Sequence, residues 1–367
     1  MTSQSVGGDG RRLVFLAGMV AAGVGLAVAE LMAGLSSEVP SAVAAVGDVF
    51  VDGAPGDVVD VAIRSVGSTD KPLLLAAIVI VTLLVGGRLA TASLERWWVG
   101  PLGIGIWTLI AAWAGARDPL TAAGGPLATA LIAGIASLVA FMGLVRLAGR
   151  AGGRAWPPGW PESTREADGR AQRGPTTAGA GDRRAFLRVA GLTAAGAAVA
   201  GLGGRRLGER FSVEAARSEV ALPPVGASST PGMGLDVPGL SPFVTPNDDF
   251  YRIDTALVVP QISPDEFRLS ITGLVDNPLE LTYDDLRSMP QVSETVTIAC
   301  VSNEVGDGLV GNAEWQGVLL SDLLEQAGVQ PGAEQVVGRS VDRFTAGFPI
   351  EAAVDGRPTM VAIGMNG

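Results

Sequence analysis

The stretch TVTIACVSNEVGDGLVGNAEWQGVLL, residues 295–320, decides how this chain is read. Its opening residues alternate, with Val296 and Ile298 on one face and Cys300 in phase with them, so Thr295–Cys300 reads as a strand. Trp315–Leu319 reads as another. Cys300 is the only cysteine in 367 residues, and there is no histidine. Those two counts exclude an intramolecular disulfide and a cysteine-cluster metal site. They also exclude histidine general bases, Ser-His-Asp triads, histidine-ligated zinc and bis-histidine haem. Taken alone, a single thiol of this kind reads as a small buried core residue.

Working outward, Phe267–Ile271 alternates as a strand, Asp276-Asn277-Pro278 is a turn, and Leu279–Leu281 is a further strand. Thr282 and Asp285 have capping-box spacing ahead of a helical turn that ends before Pro290. Ser321–Ala327 reads as a short helix stopped by Gly328, and Gln335–Val341 and Met360–Ile363 as strands. The region is a mixed α+β domain of short strands.

Several pieces of this region together resemble the sulfite oxidase family of molybdopterin-dependent oxidoreductases. They are Thr297-Ile298-Ala299-Cys300-Val301-Ser302-Asn303, then Gly311-Asn312-Ala313-Glu314-Trp315-Gln316-Gly317-Val318, then Leu320-Ser321-Asp322-Leu323-Leu324. Upstream, Thr245-Pro246-Asn247-Asp248-Asp249-Phe250-Tyr251-Arg252 matches the family's pterin-contacting segment, and Gly273-Leu274-Val275-Asp276-Asn277-Pro278 its hairpin. The resemblance covers roughly residues 240–367. It implies a molybdenum cofactor (molybdenum held by a pterin dithiolene) with Cys300 as the metal's protein ligand, a soft thiolate suited to a sulfur-rich shell. It also implies that Asn247 or Asp248, with Tyr251 and Arg252, lies along the pterin, that Ser340 lines the cofactor, and that Asn303 and Glu304 face substrate. Glu304 departs from the family, where an arginine follows the Cys-x-x-Asn run and holds an anionic substrate. A carboxylate there repels sulfite, so reduction of an S-oxide or N-oxide is expected beside sulfite-type oxidation. The end, Gly364-Met365-Asn366-Gly367, reads as the start of a hairpin turn, and the expectation is an incomplete copy of the family's domain.

The N-terminal part is different in kind. Residues 1–204 carry 16 basic and 14 acidic side chains, whereas residues 205–367 carry 10 and 23. An overall charge of −11 disfavours nucleic acid as a partner. A helix needs roughly 20 apolar residues to cross a bilayer core of about 30 Å. Leu13–Leu35, Pro72–Gly87, Trp97–Ala116 and Leu120–Val145 supply four such segments, and Ala185–Gly204 a weaker fifth. Arginines concentrate before the first segment (Arg11, Arg12), after the second (Arg88, Arg96) and between 148 and 184 (seven of them). The loop 36–71 holds Arg64 and Lys71 against six acids. The positive-inside rule then places the N-terminus, the second loop and 148–184 in the cytoplasm and the acidic C-terminal domain outside. Arg183-Arg184-Ala185-Phe186-Leu187-Arg188, followed by a Gly/Ala-rich stretch, resembles a twin-arginine export signal, a route for already folded proteins.

The expected organisation is a four-helix membrane domain at 1–148, a cytoplasmic linker at 149–182, a signal-like fifth helix at 183–204, an extracytoplasmic tether at 205–242 and a molybdopterin-binding domain at 243–367. Among intramembrane polar residues only Glu30 stands out, so the helices read as an anchor in the lipid rather than a transporter. The expected activity is two-electron oxygen-atom transfer on a small molecule, with electrons passed to a separate carrier or quinone-linked partner, and no haem or zinc. The contrasting reading is a non-catalytic binding or sensor module on the same fold.

Overall fold

Residues 8–55, 70–118, 121, 124–151, 180–225, 240–254 and 256–367 are described by a computed structural model of the protein. The Pro157-Pro158-Gly159 motif, most arginines of the linker, and much of the Pro/Gly/Ser-rich tether lie outside these residues. The chain divides into two units, Met1–Phe211 and Ser212–Gly367.

The first unit contains α1 (Gly8–Leu35), α2 (Ala42–Gly53), α3 (Asp70–Ala92), α4 (Val99–Gly115), α5 (Gly125–Ala151) and α6 (Ala180–Gly208). Among the described residues, α1, α3, α5 and α6 are long and apolar enough to cross a membrane, and α4 is a shorter apolar helix of 17 residues. Helix α2, in a stretch read from sequence as loop, starts where the Ser41 hydroxyl accepts the Ala44 N–H at 3.3 Å. Helix α6 extends beyond the expected 183–204 segment at both ends.

Small residues let these helices approach backbone to backbone. Gly18 of α1 lies against Gly86 and Ala90 of α3, and Gly23 against Leu83, so α1 and α3 are antiparallel. Ala27, Leu31 and Gly34 of α1 meet Gly201, Gly204 and Gly208 of α6 in the same order, so these two helices are parallel. A Cβ on Gly204 would sit 2.6 Å from the Leu31 Cα, a contact with backbone that no rotamer relieves. Ser137 of α5 donates its hydroxyl to the Ala21 carbonyl at 3.0 Å, and Ala133 meets Gly25, so α5 runs against α1. Helix α4 is antiparallel to both neighbours, with Gly103 on Leu89 of α3 and Gly100, Thr108 and Gly115 facing Phe141, Gly134 and Pro126 of α5. Leu13, Val14 and Ala17 share one core cluster with Phe141, Val145, Phe186 and Ala190. The fully buried Phe186 makes α6 an integral member of the bundle.

The second unit contains α7 (Glu214–Ser218), β1 (Arg268–Ile271), β2 (Leu279–Thr282), α8 (Tyr283–Ser288), β3 (Val292–Ala299), β4 (Val310–Leu319), α9 (Leu320–Ala327), β5 (Gln335–Arg339), β6 (Thr345–Pro349), α10 (Glu351–Val354) and β7 (Met360–Met365). Strands β1 and β2 form one antiparallel pair and β5 and β6 another, while β3, β4 and β7 form an antiparallel sheet with β4 central. Leu281, Leu286, Val318 and Leu323 form the core, with Phe267, Leu269, Val361 and Ile363 packed on it. The capping box is present, with Thr282 accepting from the Asp285 N–H and Asp285 accepting from the Thr282 N–H at 2.8 Å. Gly328 ends α9 at φ 68°, a left-handed conformation that favours glycine.

Several details correct the sequence reading. Strand β4 begins at Val310, five residues before Trp315, because Val310–Glu314 pair with Thr295–Ala299 of β3. Strand β5 stops at Arg339, because Ser340–Phe344 form a tight hairpin tip with Arg343 at φ 73°. Strand β6 and helix α10 were not anticipated. Strand β7 continues through Gly364 and Met365, where a turn was expected, because Gly364 and Met365 still pair with Gln316 and Trp315. The apolar face of β3 is not a core face at its cysteine end: Val296 and Ile298 are 42% and 41% exposed within this chain.

Candidate functional site

Cys300 is the first residue after β3. Its N–H donates to the Leu309 carbonyl at 2.9 Å, which prolongs the ladder to β4 by one bond and fixes the cysteine at the mouth of the loop 300–309. Asn303 closes that loop: its N–H donates to the Cys300 carbonyl at 3.0 Å and its side-chain oxygen accepts from the Leu309 N–H at 2.8 Å. Gly306 at φ 85° and the Asp307 N–H bonding the Glu304 carbonyl at 3.0 Å make the turn at the tip. Glu304 is exposed there, as are Val301 and Val305.

The thiol is half-buried, with its sulfur 3.1 Å from the Ser302 hydroxyl. Hydrogen bonds from the Ser302 side chain and backbone, and one from the Val301 backbone, hold its pKa below the ordinary thiol value against a smaller opposing effect of burial. Tyr251 is brought to the same place. Its phenol is pushed above its ordinary value, first by desolvation and then by the negative charge of the nearby Cys300 thiolate. Phe250 holds this arrangement. Its ring stacks on Tyr251 at 5.3 Å and meets Trp315 edge-on at 5.8 Å. It also covers Gly311, where a Cβ would fall 2.8 Å from ring carbons.

Two asparagines lay the 243–251 segment on the sheet. Asn312 of β4 donates its side-chain amide to the Phe243 carbonyl at 2.7 Å and its backbone N–H to the Thr245 hydroxyl at 3.1 Å. Asn366, at φ 58°, donates to the Asn247 side-chain oxygen at 2.7 Å and to the Thr245 carbonyl at 3.0 Å, while accepting from the Glu314 N–H at 3.0 Å.

The residues singled out from sequence therefore separate. Cys300 and Asn303 share one loop, and Tyr251 lies near enough for the Cys300 charge to act on its phenol. Asn247 is engaged with Asn366 and the Met365 carbonyl, so its amide fastens the segment to β7. Asp248 lies in an exposed 3₁₀ turn, and Arg252 pairs with Asp254 at 2.7 Å. Ser340 sits at the β5–β6 tip, its hydroxyl bonded to Asp342 and its N–H to the Phe344 carbonyl, and none of its hydrogen bonds reaches the cysteine loop. Sequence reasoning missed Ser302, Asn312 and Asn366 as organisers. Ser302 and Asn312 fall inside the quoted motifs, whereas Asn366 was read as turn.

The donor set suits one kind of metal site. Among the described residues no group of three or more His, Cys, Asp or Glu is placed to hold a metal by itself. A metal held at Cys300 would take one soft thiolate from the chain and would need its remaining donors from a cofactor, as a metal carried by a sulfur-rich organic ligand does. The residues fit a molybdenum–pterin group.

Comparison with known proteins agrees. Residues 256–367 match the model of the oxidoreductase molybdopterin binding domain family. The chain is 33% identical over 140 residues to mitochondrial sulfite oxidase of Drosophila melanogaster, covering 32% of this chain and 24% of that protein. It is 31% identical over 138 residues to sulfite oxidase of Arabidopsis thaliana, covering 31% and 35%. Among solved structures, the sulfane dehydrogenase SoxCD of Paracoccus pantotrophus matches at 30% identity over 35% of this chain and 36% of that one, with a TM-score of 0.32. The chain thus spans about a quarter to a third of the length of these relatives. Its C-terminal unit carries a molybdopterin-binding domain of the sulfite oxidase-like family of molybdenum enzymes.

Proposed function

We propose that this protein is a membrane-anchored molybdenum-cofactor oxidoreductase whose C-terminal unit works outside the cytoplasm on a small substrate. The observation that carries the reading is the chain's single thiol. It is held at a strand end, its pKa lowered by Ser302, and its charge reaches the Tyr251 phenol. When bound, the cofactor supplies a two-electron couple and the oxygen atom exchanged with substrate. Cys300 is the metal's protein ligand. Tyr251 and Arg252, with Asn247 and Asp248 on the same segment, lie toward the pterin, and Ser340 contributes from the β5–β6 tip. Asn303 fixes the cysteine loop from which Glu304 reaches substrate. An exposed carboxylate at 304 disfavours an anionic substrate, which supports reduction of a neutral S-oxide or N-oxide over oxidation of sulfite. Electrons pass to a separate carrier or a quinone-linked partner.

The anchor reading is supported by the alternating directions of α1, α3, α4, α5 and α6, five crossings that leave the two ends of the unit on opposite faces. The ion pairs Arg11–Glu95 and Arg183–Asp9 gather the start of α1, the end of α3 and the start of α6 at one end, and the cytoplasm is the side that suits those arginines. Arg205, Arg206 and Arg210 lie at the other end. Arg205 faces the buried Glu30 carboxylate at 3.9 Å and Arg210 caps the Leu35 carbonyl at 3.1 Å. Arg183-Arg184 serves as a twin-arginine signal on a helix that stays in place, since Phe186 and the glycine seam pack it into the bundle.

The test is metal content and turnover. Purified full-length protein should carry about one molybdenum per chain, and Cys300→Ser should abolish reduction of S-oxides or N-oxides by an artificial electron donor. A folded wild type without molybdenum would instead be a binding module.

A further inference from the structure

At the end of the bundle that gathers arginines, α1 and α3 part to leave an open groove of about 860 Å³. Its rim carries Arg11, Arg12 and Arg88, and its apolar wall is Phe15 and Leu16. The carboxylates nearby do not match this charge. Glu95, also on the groove, pairs with Arg11 at 3.5 Å. Asp9 is shared between Arg12 at 3.8 Å and Arg183 at 3.6 Å. Four guanidinium groups therefore stand against two carboxylates. The Arg88 guanidinium has no ion pair or hydrogen bond among the described residues. It projects from a helix whose next turns toward the bundle's middle expose Leu84 and Val85.

We infer that this groove binds the headgroup of an anionic phospholipid of the surrounding leaflet, with the phosphate between Arg88, Arg11 and Arg12. The inference rests on the membrane reading given above. Arginine suits the site because its planar fork offers paired N–H donors to phosphate oxygens. A basic pocket between apolar helices at the cytoplasmic level is the arrangement that holds such headgroups. A lipid is favoured over free phosphate because the arginines open onto an apolar wall, Phe15 and Leu16, continued by the exposed Leu84 and Val85, along which acyl chains can lie. Glu95 is the restraint: it occupies one arginine and repels a second negative charge.

The experiment uses the full-length chain in phosphatidylcholine nanodiscs doped with spin-labelled phosphatidylglycerol or spin-labelled phosphatidylcholine. The fraction of each label immobilised by the protein is read by electron paramagnetic resonance. Wild type should prefer the phosphatidylglycerol label. Arg88→Gln should lower that preference by roughly fivefold, the equivalent of one arginine at a membrane surface, and Glu95→Gln should raise it. The opposite signs separate a binding effect from a folding defect. Equal preference in wild type and both variants overturns the site. Displacement of the label by millimolar inorganic phosphate overturns the lipid as its occupant. A chain that enters discs but shows no preference breaks this inference alone, whereas a folded chain that stays in the aqueous fraction breaks the membrane reading beneath it.

Discussion

The two units of this protein solve the packing problem with opposite materials. The N-terminal bundle brings backbones together over glycine and alanine, as where Leu31 meets Gly204, and leaves many larger apolar side chains outward: Leu109, Ile135, Val139 and Leu192 are all more than 60% exposed. The C-terminal unit buries Leu286 and Leu323 almost completely and leaves its polar side chains to tie loops to strands. Small residues permit close approach but fill space poorly, and the bundle retains an apolar cavity of about 140 Å³ among α1, α3, α4 and α5. The outward apolar side chains of the first unit suit a surrounding that is itself apolar, where backbone contact is the main source of cohesion. The other relies on the ordinary removal of leucine side chains from water.

That contrast can be broken at chosen places. The largest effect is expected from Leu286→Ala, which should cost the C-terminal unit about 3 kcal/mol by opening a cavity at a fully buried position, read as a lowered denaturant midpoint. In the bundle the corresponding sensitivity is to added volume. Gly204→Val should lower stability in detergent by about 2 kcal/mol, because the new side chain meets the α1 backbone. Gly203→Val, one residue away with open space around it, should leave the melting temperature nearly unchanged. A smaller effect, roughly 1 kcal/mol, is expected from Thr282→Ala at the α8 cap. The Asp285 carboxyl is held below its ordinary value by hydrogen bonds from Thr282. Its contribution is therefore complete above the usual carboxylate range and is lost as pH falls through the depressed value. Thr282→Ala should flatten the acid limb of the stability profile. Ser302→Ala should leave stability nearly untouched yet raise the Cys300 pKa, seen as slower alkylation of the cofactor-free thiol near neutral pH.

What could be read in advance follows the range of the forces involved. The apolar spans, the Thr282–Asp285 cap and the Gly328 stop are local, and each was legible from a few adjacent residues. The motif around Cys300 was legible because it is contiguous. Strand β6 was not, since Thr345–Pro349 owes its extended form to pairing with β5 and contains Gly347 and Pro349. The roles of Asn247 and Asn366 were hidden for a similar reason: they meet across 119 residues of sequence. The exposure of Val296 and Ile298 was not legible, because alternation tells which residues share a face and says nothing about what covers it.

The bond between Asn366 and the 245–247 segment has a consequence for biosynthesis. The peptide that cradles Tyr251 is made early, but the residue that clasps it, Asn366, follows Asn247 by 119 residues. While the chain is still emerging from the ribosome, the neighbourhood of the thiol has no closing strand. It becomes whole only after translation has passed β7, so any prosthetic group that needs the finished cradle arrives after that strand has emerged.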